Sequence, residues 1–318
     1  MKIRIMILLT LSAFIFAKSF KVKDGNSSLE IRFSGEDVVA TENLIDNTIP
    51  IISTFYQISK DFNINVEYSI NDISYEENIN LDINFLNEET GFDFDEYGVF
   101  PKENIIISEP MIFRGILVVQ ISFIPFSYNS FTKELQINNN INFDIEEVEQ
   151  SIEFDYTDVK LSKAFEPLFE DFIVNYEVSS RNEDYQMPSI LYICGGSSID
   201  HPYVEELLDW RHKMGYIVTA VSTSQTGSSS SQIKNYIENA YETWENPPEI
   251  VGLIGDTGGS YSIGYFTESL SGYGGAGDFP YSQLDGNDLL PEVFIGRISV
   301  NSSSDLSNVL NKTLAYEK

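Results

Sequence analysis

Ile190-Leu191-Tyr192-Ile193-Cys194-Gly195-Gly196 decides the fold of the second half of the chain. Five consecutive apolar residues, too few for a helix and stopped by two glycines, read as a strand buried on both faces. Downstream the pattern switches period. Val204, Leu207, Leu208 and Met214 fall at helical spacing and are closed by Gly215, which predicts a helix. A second strand spans 216–221. The Ser/Gly/Thr run 222–231 reads as a loop capping a helix from Ser231 to Trp244, halted by Pro247-Pro248. Ile250-Val251-Gly252-Leu253-Ile254 is the third strand, ending at Gly255-Asp256. Strand, helix, strand, helix, strand implies right-handed crossovers and a parallel sheet covered by helices. In such sheets function gathers at the carboxyl ends of the strands, which places Gly195, Gly196 and Asp256 on that rim. Without the rest of a G-x-G-x-x-G fingerprint, the glycine pair reads as a tight turn.

Past the third strand come a glycine-rich loop, 258–277, then Asp278, Asp285-Gly286-Asn287-Asp288, and a strand over 293–298 that contains Gly296-Arg297. A helix starting at Ser304, with Asp305 in its first turn, is still running at Lys318 with no cap, so the domain is expected to be incomplete at its C-terminus.

Upstream the grammar is different. From Phe20 to Val148 short alternating runs, among them Ser28-Leu29-Glu30-Ile31-Arg32-Phe33, Ile64-Asn65-Val66-Glu67-Tyr68-Ser69-Ile70, 116–123 and Leu135-Gln136-Ile137, are broken by Asn, Asp, Gly and Ser. Period-two alternation predicts an antiparallel, sandwich-like all-β domain. Residues 150–186 mix aromatics with acids and then pass through Ser179-Ser180-Arg181-Asn182, a polar stretch suited to an exposed linker, with a domain boundary near 187. The fold class is therefore α+β with two domains: 1–19 a signal peptide, 20–186 a β-rich domain plus linker, and 187–318 an α/β domain.

The signal reading rests on Lys2 and Arg4, the apolar run from Ile5 to Phe16, and the small residues of Ala17-Lys18-Ser19. That run is too short to span a bilayer, so the chain is expected to be exported, secreted or held at the cell surface, without a transmembrane segment. With 49 acids against 19 bases and a net charge of -30, the surface would repel nucleic acid and anionic lipid. Hydrophobic residues at 42% suffice for packed cores. The single cysteine, Cys194, rules out an intramolecular disulfide and sits in the buried strand. The only histidines, His201 and His212, fall at the start of and within one predicted helix, so neither faces Cys194 as a base from a strand end. No catalytic residue is assigned. Asp285, Asp288 and Glu292, with Asp256, have the hard-oxygen character calcium prefers, yet the spacing is not an EF-hand and the same residues suit a solvated turn.

The second domain resembles the gingipain family of cysteine endopeptidases. The residues that carry the likeness are Leu208-Asp209-Trp210-Arg211 with Gly215, Ile233-Lys234-Asn235-Tyr236-Ile237, and Val251-Gly252-Leu253-Ile254-Gly255-Asp256. Most specific are Asp285-Gly286-Asn287-Asp288-Leu289-Leu290-Pro291-Glu292-Val293-Phe294-Ile295-Gly296-Arg297 and Asn311-Lys312-Thr313-Leu314-Ala315-Tyr316-Glu317. Residues 110–129 and Lys133-Glu134-Leu135 look like the final strands of that family's propeptide. The resemblance implies a caspase-like α/β fold and a propeptide that packs on the catalytic domain and is removed by proteolysis around Arg181. It implies protein or peptide substrates, with a Cys/His dyad beyond Lys318. It also implies a structural calcium ion held by side chains of Asp256, Asp288 and Glu292 and by backbone carbonyls of Asp285 and Leu290. The competing reading is a non-catalytic exported surface or adhesion protein that retains the scaffold.

Overall fold

The structure, a computed structural model, describes residues 17–23, 26–32, 51–82, 92–150, 156–181, 184–270, 273–286 and 288–318. Of the expected signal peptide, residues 1–16 lie outside the described residues, and Ala17-Lys18-Ser19 open the first strand. The chain forms two compact units. The first holds residues 1–110, 118–153 and 172–176; the second holds 111–117, 154–171 and 177–318.

The strands up to residue 149 are β1 (Ala17–Lys23), β2 (Asn26–Arg32), β3 (Ile52–Gln57), β4 (Phe62–Glu76), β5 (Val99–Phe100), β6 (Ile105–Ile107), β7 (Met111–Phe113), β8 (Ile116–Phe123), β9 (Phe126–Asn129) and β10 (Glu134–Glu149). One sheet of the first unit has the order β1-β2-β10-β9-β5 with β4 also on β10, and the other runs β3-β8-β6. Strands β1 with β2, β10 with β2, β4 and β9, β5 with β9, and β8 with β3 and β6 pair antiparallel, as the alternation predicts. In β10, Ile141, Phe143 and Ile145 are buried while Asp144 and Glu146, on the opposite face, are exposed. The buried row meets the second sheet: Phe143 packs edge-on against Phe123 of β8, with ring centroids 5.2 Å apart, beside Ile52 of β3. This is the sandwich core.

In the second unit β11 (Ser189–Cys194), β12 (Ile217–Ser222), β13 (Ile250–Ile254) and β16 (Phe294–Ile298) form a parallel sheet of order β12-β11-β13-β16. Its helices are α1 (Glu166–Phe172), α2 (Pro202–Lys213), α3 (Thr223–Thr226), α4 (Ser230–Thr243) and α5 (Ser303–Glu317). Successive β11 residues point to opposite faces. Leu191 and Ile193 pack with Ile233, Ile237, Ala240 and Tyr241 of α4, whereas Ile190, Tyr192 and Cys194 pack with Val204 and Leu207 of α2 and Leu306, Leu310 and Leu314 of α5. Both faces are therefore covered, which is why this strand is apolar throughout. Helix α4 starts at a capping box, with the Ser229 side chain accepting from Gln232 N–H and the Gln232 side chain returning to Ser229 N–H. Gly215, at φ 98°, supplies the left-handed residue just past α2.

Three local expectations differ. The Ser/Gly/Thr run contains the short helix α3, and the glycine-rich stretch contains a hairpin, β14 (Phe266–Leu270) with β15 (Tyr273–Gly277). The larger difference concerns the aromatic stretch 156–171, grouped by its sequence with the β-rich part but packed into the α/β unit. Phe165 and Phe169 are fully buried, Phe113 standing edge-on to Phe169 at 5.1 Å and Phe165 packing on Phe294 at 4.3 Å. The unit boundary accordingly does not fall at one point near 187: residues 111–117 and 154–171 are built into the α/β unit.

Candidate functional site

At the carboxyl end of the parallel sheet, the turns after β11 and β13 lie against the backbone of Ser260 and Tyr261. A Cβ on Gly195 would stand 2.2 Å from the Tyr261 carbonyl oxygen, and one on Gly255 only 2.0 Å from it, so close packing of backbone explains these glycines. Asp256 accepts from Thr257 N–H at 2.8 Å and from the Ser299 hydroxyl at 3.0 Å, and these bonds, the Thr257 amide foremost, hold its carboxyl below the usual range. Arg297, in β16, grips Asp278 with two bonds of 2.8 and 2.6 Å and donates to the carbonyls of Gly255 at 3.2 Å and Gly264 at 3.1 Å. One guanidinium thus ties the rim loops to the edge strand. Its sequence signal was a lone cation inside an apolar run.

Among the described residues no nucleophile and base meet here. Cys194 is fully buried and its thiol is pushed up to about 12 by that burial, so it stays protonated and inert. His201 caps α2, its Nδ1 accepting from Tyr203 N–H at 3.2 Å, and its Nε2 shares a 3.2 Å bond with the Ser307 hydroxyl. His212 lies in the last turn of α2, its Nδ1 3.2 Å from the Tyr216 carbonyl.

The opposite, amino end of the sheet is chemically denser. The loop 284–292 leading into β16 carries three carboxylates. Asp285 accepts from Thr157 N–H at 2.7 Å and Gly286 N–H at 2.9 Å; Asp288 accepts from Ile112 N–H and Leu290 N–H, both at 2.8 Å. Glu292 accepts through Oε2 from Leu284 N–H at 2.6 Å and Asp285 N–H at 3.2 Å. Its Oε1 is buried and has no hydrogen-bond partner. Burial pushes Asp288 up to about 6 and Glu292 up to about 8, and neighbouring carboxylates push both further in the same direction. Nearby Glu249, itself buried, accepts from the Ser162 hydroxyl at 2.5 Å and from Ser189 N–H at 3.3 Å.

These contacts divide the expected calcium set. Asp256 follows β13 while Asp285, Asp288, Leu290 and Glu292 precede β16, and the two strands run parallel with Ile250 opposite Phe294 and Ile254 opposite Ile298. Asp256 and Glu292 are therefore offset by eight strand residues, roughly 26 Å at about 3.3 Å per residue. One ion cannot bind both, which corrects the five-residue set. In the loop both Asp288 oxygens accept backbone amides, while Glu292 keeps one buried carboxylate oxygen without a hydrogen-bond partner. Among the described residues, no three His, Cys, Asp or Glu side chains converge as a ready metal cage.

Sequence reasoning missed Arg114, which stands at the same end. Its side chain, 1% exposed, donates to the carbonyls of Pro248 at 3.1 Å and of Glu292, and to the Gln186 side-chain oxygen at 3.1 Å.

Comparison with known proteins places these two parts. Residues 36–182 match the family Propeptide_C25 and residues 183–318 match Peptidase family C25. Gingipain R2 of Porphyromonas gingivalis is 27% identical over 235 residues, covering 72% of this chain and 31% of that protein. Lys-gingipain of the same organism is 26% identical over 215 residues, covering 64% of this chain and 12% of that protein. The chain thus spans about a third or less of the length of these relatives. Among solved structures, the complex of the Porphyromonas gingivalis RgpB pro- and mature domains is 18% identical with a TM-score of 0.35, covering 50% of this chain and 98% of that one. The Arg-specific cysteine proteinase gingipain R is 23% identical with a TM-score of 0.35, covering 44% and 30%.

Proposed function

Because this chain belongs to peptidase family C25, with the family's propeptide ahead of the start of its peptidase domain, we propose that it is the N-terminal part of an exported cysteine endopeptidase precursor. The observation that carries this reading is the unbroken order of the two family matches over residues 36–318. The structure adds a physical reason for that order. Donors from the propeptide part, the amides of Ile112 and Thr157, the Ser162 hydroxyl and the Arg114 guanidinium, serve Asp288, Asp285, Glu249 and the Glu292 carbonyl of the peptidase part.

In this reading the reacting pair, a cysteine thiolate that attacks the scissile carbonyl and a histidine that manages its proton, comes from sequence past Lys318. Cys194, buried and protonated, takes no part. The substrates are proteins or peptides. Processing falls around Arg181, whose side chain is 70% exposed and lies one residue from the boundary between the two family matches. A calcium ion, where bound, would be held by Asp288 and Glu292 with the carbonyls of Asp285 and Leu290, and would fix the loop that enters β16. Export follows from the apolar leader; among the described residues no helix is long and apolar enough to cross a membrane.

The test is to express the whole reading frame, remove the propeptide, and follow cleavage of a protein substrate with and without a thiol-alkylating reagent. Activity abolished by alkylation is expected. Activity indifferent to alkylation, or none after the propeptide is removed, would overturn the reading.

A further inference from the structure

We propose that the peptidase part carries a guanidinium-recognition slot at the amino end of its parallel sheet, built from the carbonyls of Pro248 and Glu292, the Gln186 side chain and the Tyr241 ring, and that Arg114 of the propeptide is its ligand. The inference rests on the reading of residues 36–182 as a propeptide, and adds to it a recognition site at the end of the sheet away from the strand-end rim.

Arg114 and Gly115 form the two-residue tip between β7 and β8. Their φ values of 44° and 77° are both positive, as the hairpin turn that suits strand twist requires. Asn-Gly is the usual occupant. An arginine is strained in the left-handed region, and such strain persists where surrounding structure over-determines it. Hairpin tips also ordinarily stand in solvent, yet Arg114 is 1% exposed.

What holds it is shaped for a planar cation. Nη1 donates to the carbonyls of Pro248 and Glu292, and Nη2 to Gln186 Oε1 at 3.1 Å. The guanidinium carbon lies 4.8 Å from the centroid of the Phe165 ring and 5.7 Å from that of Tyr241. Gln186 is oriented in turn, its amide donating to the carbonyl of Pro247 at 2.9 Å and to the Ser189 hydroxyl at 3.2 Å. Among the described residues no side-chain carboxylate hydrogen-bonds the guanidinium; burial pushes it below its ordinary value, and Tyr241, Glu249 and Glu292 act against that shift. Three acceptors shared between Nη1 and Nη2, with Nε left unpartnered, suit the fork of a guanidinium better than an ammonium, which lacks it. Gly115 lets the tip seat, since a Cβ there would meet Val159 Cγ2 at 2.7 Å.

Chemical rescue of the 318-residue chain tests this. Arg114→Ala should lower the thermal midpoint, and about 10 mM ethylguanidinium should recover roughly half of the loss by mass action, while ethylammonium at the same concentration recovers none. Wild type should respond to neither. If the alanine variant does not fold, Arg114→Lys and Gln186→Leu carry the test. Both should melt below wild type, the lysine because a point charge cannot reach three divergent acceptors. Equal melting of wild type with these variants, or equal effects of both additives, or equal shifts in wild type and Arg114→Ala, would overturn the slot. Since none of these readouts uses peptidase activity, failure here leaves the endopeptidase assay to judge that reading separately.

Discussion

Replacing Glu292 by glutamine in the absence of metal should remove a pH dependence that the wild-type chain cannot avoid. Glu292 is fully buried, and its carboxyl is raised from 4.5 to about 8, first by burial and then by Asp288 and Asp285. Between those values the folded chain holds a proton that the unfolded chain has released. The stabilising effect of that proton is complete below about 4.5 and is lost as pH rises through about 8. At 1.36 kcal/mol per unit the loss is at most roughly 5 kcal/mol, and a relaxed site would show about 3 kcal/mol. That corresponds to a fall of about 10 °C in the midpoint for a unit of this size. Glutamine keeps the chain's contacts, because its carbonyl oxygen can accept from Leu284 and Asp285 as Oε2 does, and its amide takes the place of the unpartnered Oε1. Thermal unfolding with a chelator, from about pH 5 to about pH 8.5, should therefore show a steep decline for wild type. Glu292→Gln should show a shallow one, set by Asp288 losing its proton near 6. Calcium added at the upper pH should restore wild type and leave the variant unmoved. Parallel profiles for the two chains would refute the argument that Glu292 is buried without compensation.

Cys194 should ignore a thiol-specific chromogenic reagent in the native chain and react stoichiometrically once urea unfolds it, because burial both hides the thiol and keeps it protonated. Glu317→Ala should lower the unfolding free energy obtained from a urea titration by about 1–2 kcal/mol, since Glu317 joins α5 to α2 by accepting two bonds from Arg211, 2.5 and 2.8 Å, and one from the Trp210 indole at 3.0 Å. Leu310→Ala, at a fully buried α5 position, should cost about 2–5 kcal/mol in the same titration.

Much of the α/β unit was legible because its cues are local. The strand at Ile190 to Cys194 is apolar throughout since helices cover both its faces, and Gly215 and Pro247-Pro248 punctuate the helices. The β14–β15 hairpin was illegible for the converse reason: Thr267, Glu268, Ser269 and the glycines of 274–277 show no apolar alternation. The packing of residues 156–171 into the α/β unit was illegible because their partners, Phe113 and Phe294, lie far away in sequence, and aromatics mixed with acids carry no period. Arg114 had one weak cue, an Arg-Gly pair where a hairpin tip should carry Asn-Gly, and nothing that marked it as buried. The calcium assignment failed at Asp256 on geometry alone, since the residue after one parallel strand cannot meet the residue before its neighbour.

The most direct test of the account is to cut the chain where its two family matches meet. A recognition sequence for a site-specific protease, inserted between Ser180 and Arg181, allows a single cleavage, after which native mass spectrometry reports whether the parts remain together. Because residues 111–117 and 154–171 are built into the peptidase unit, the cut chain should persist as one non-covalent complex and separate only on denaturation. Separation into two folded fragments under native conditions would contradict it.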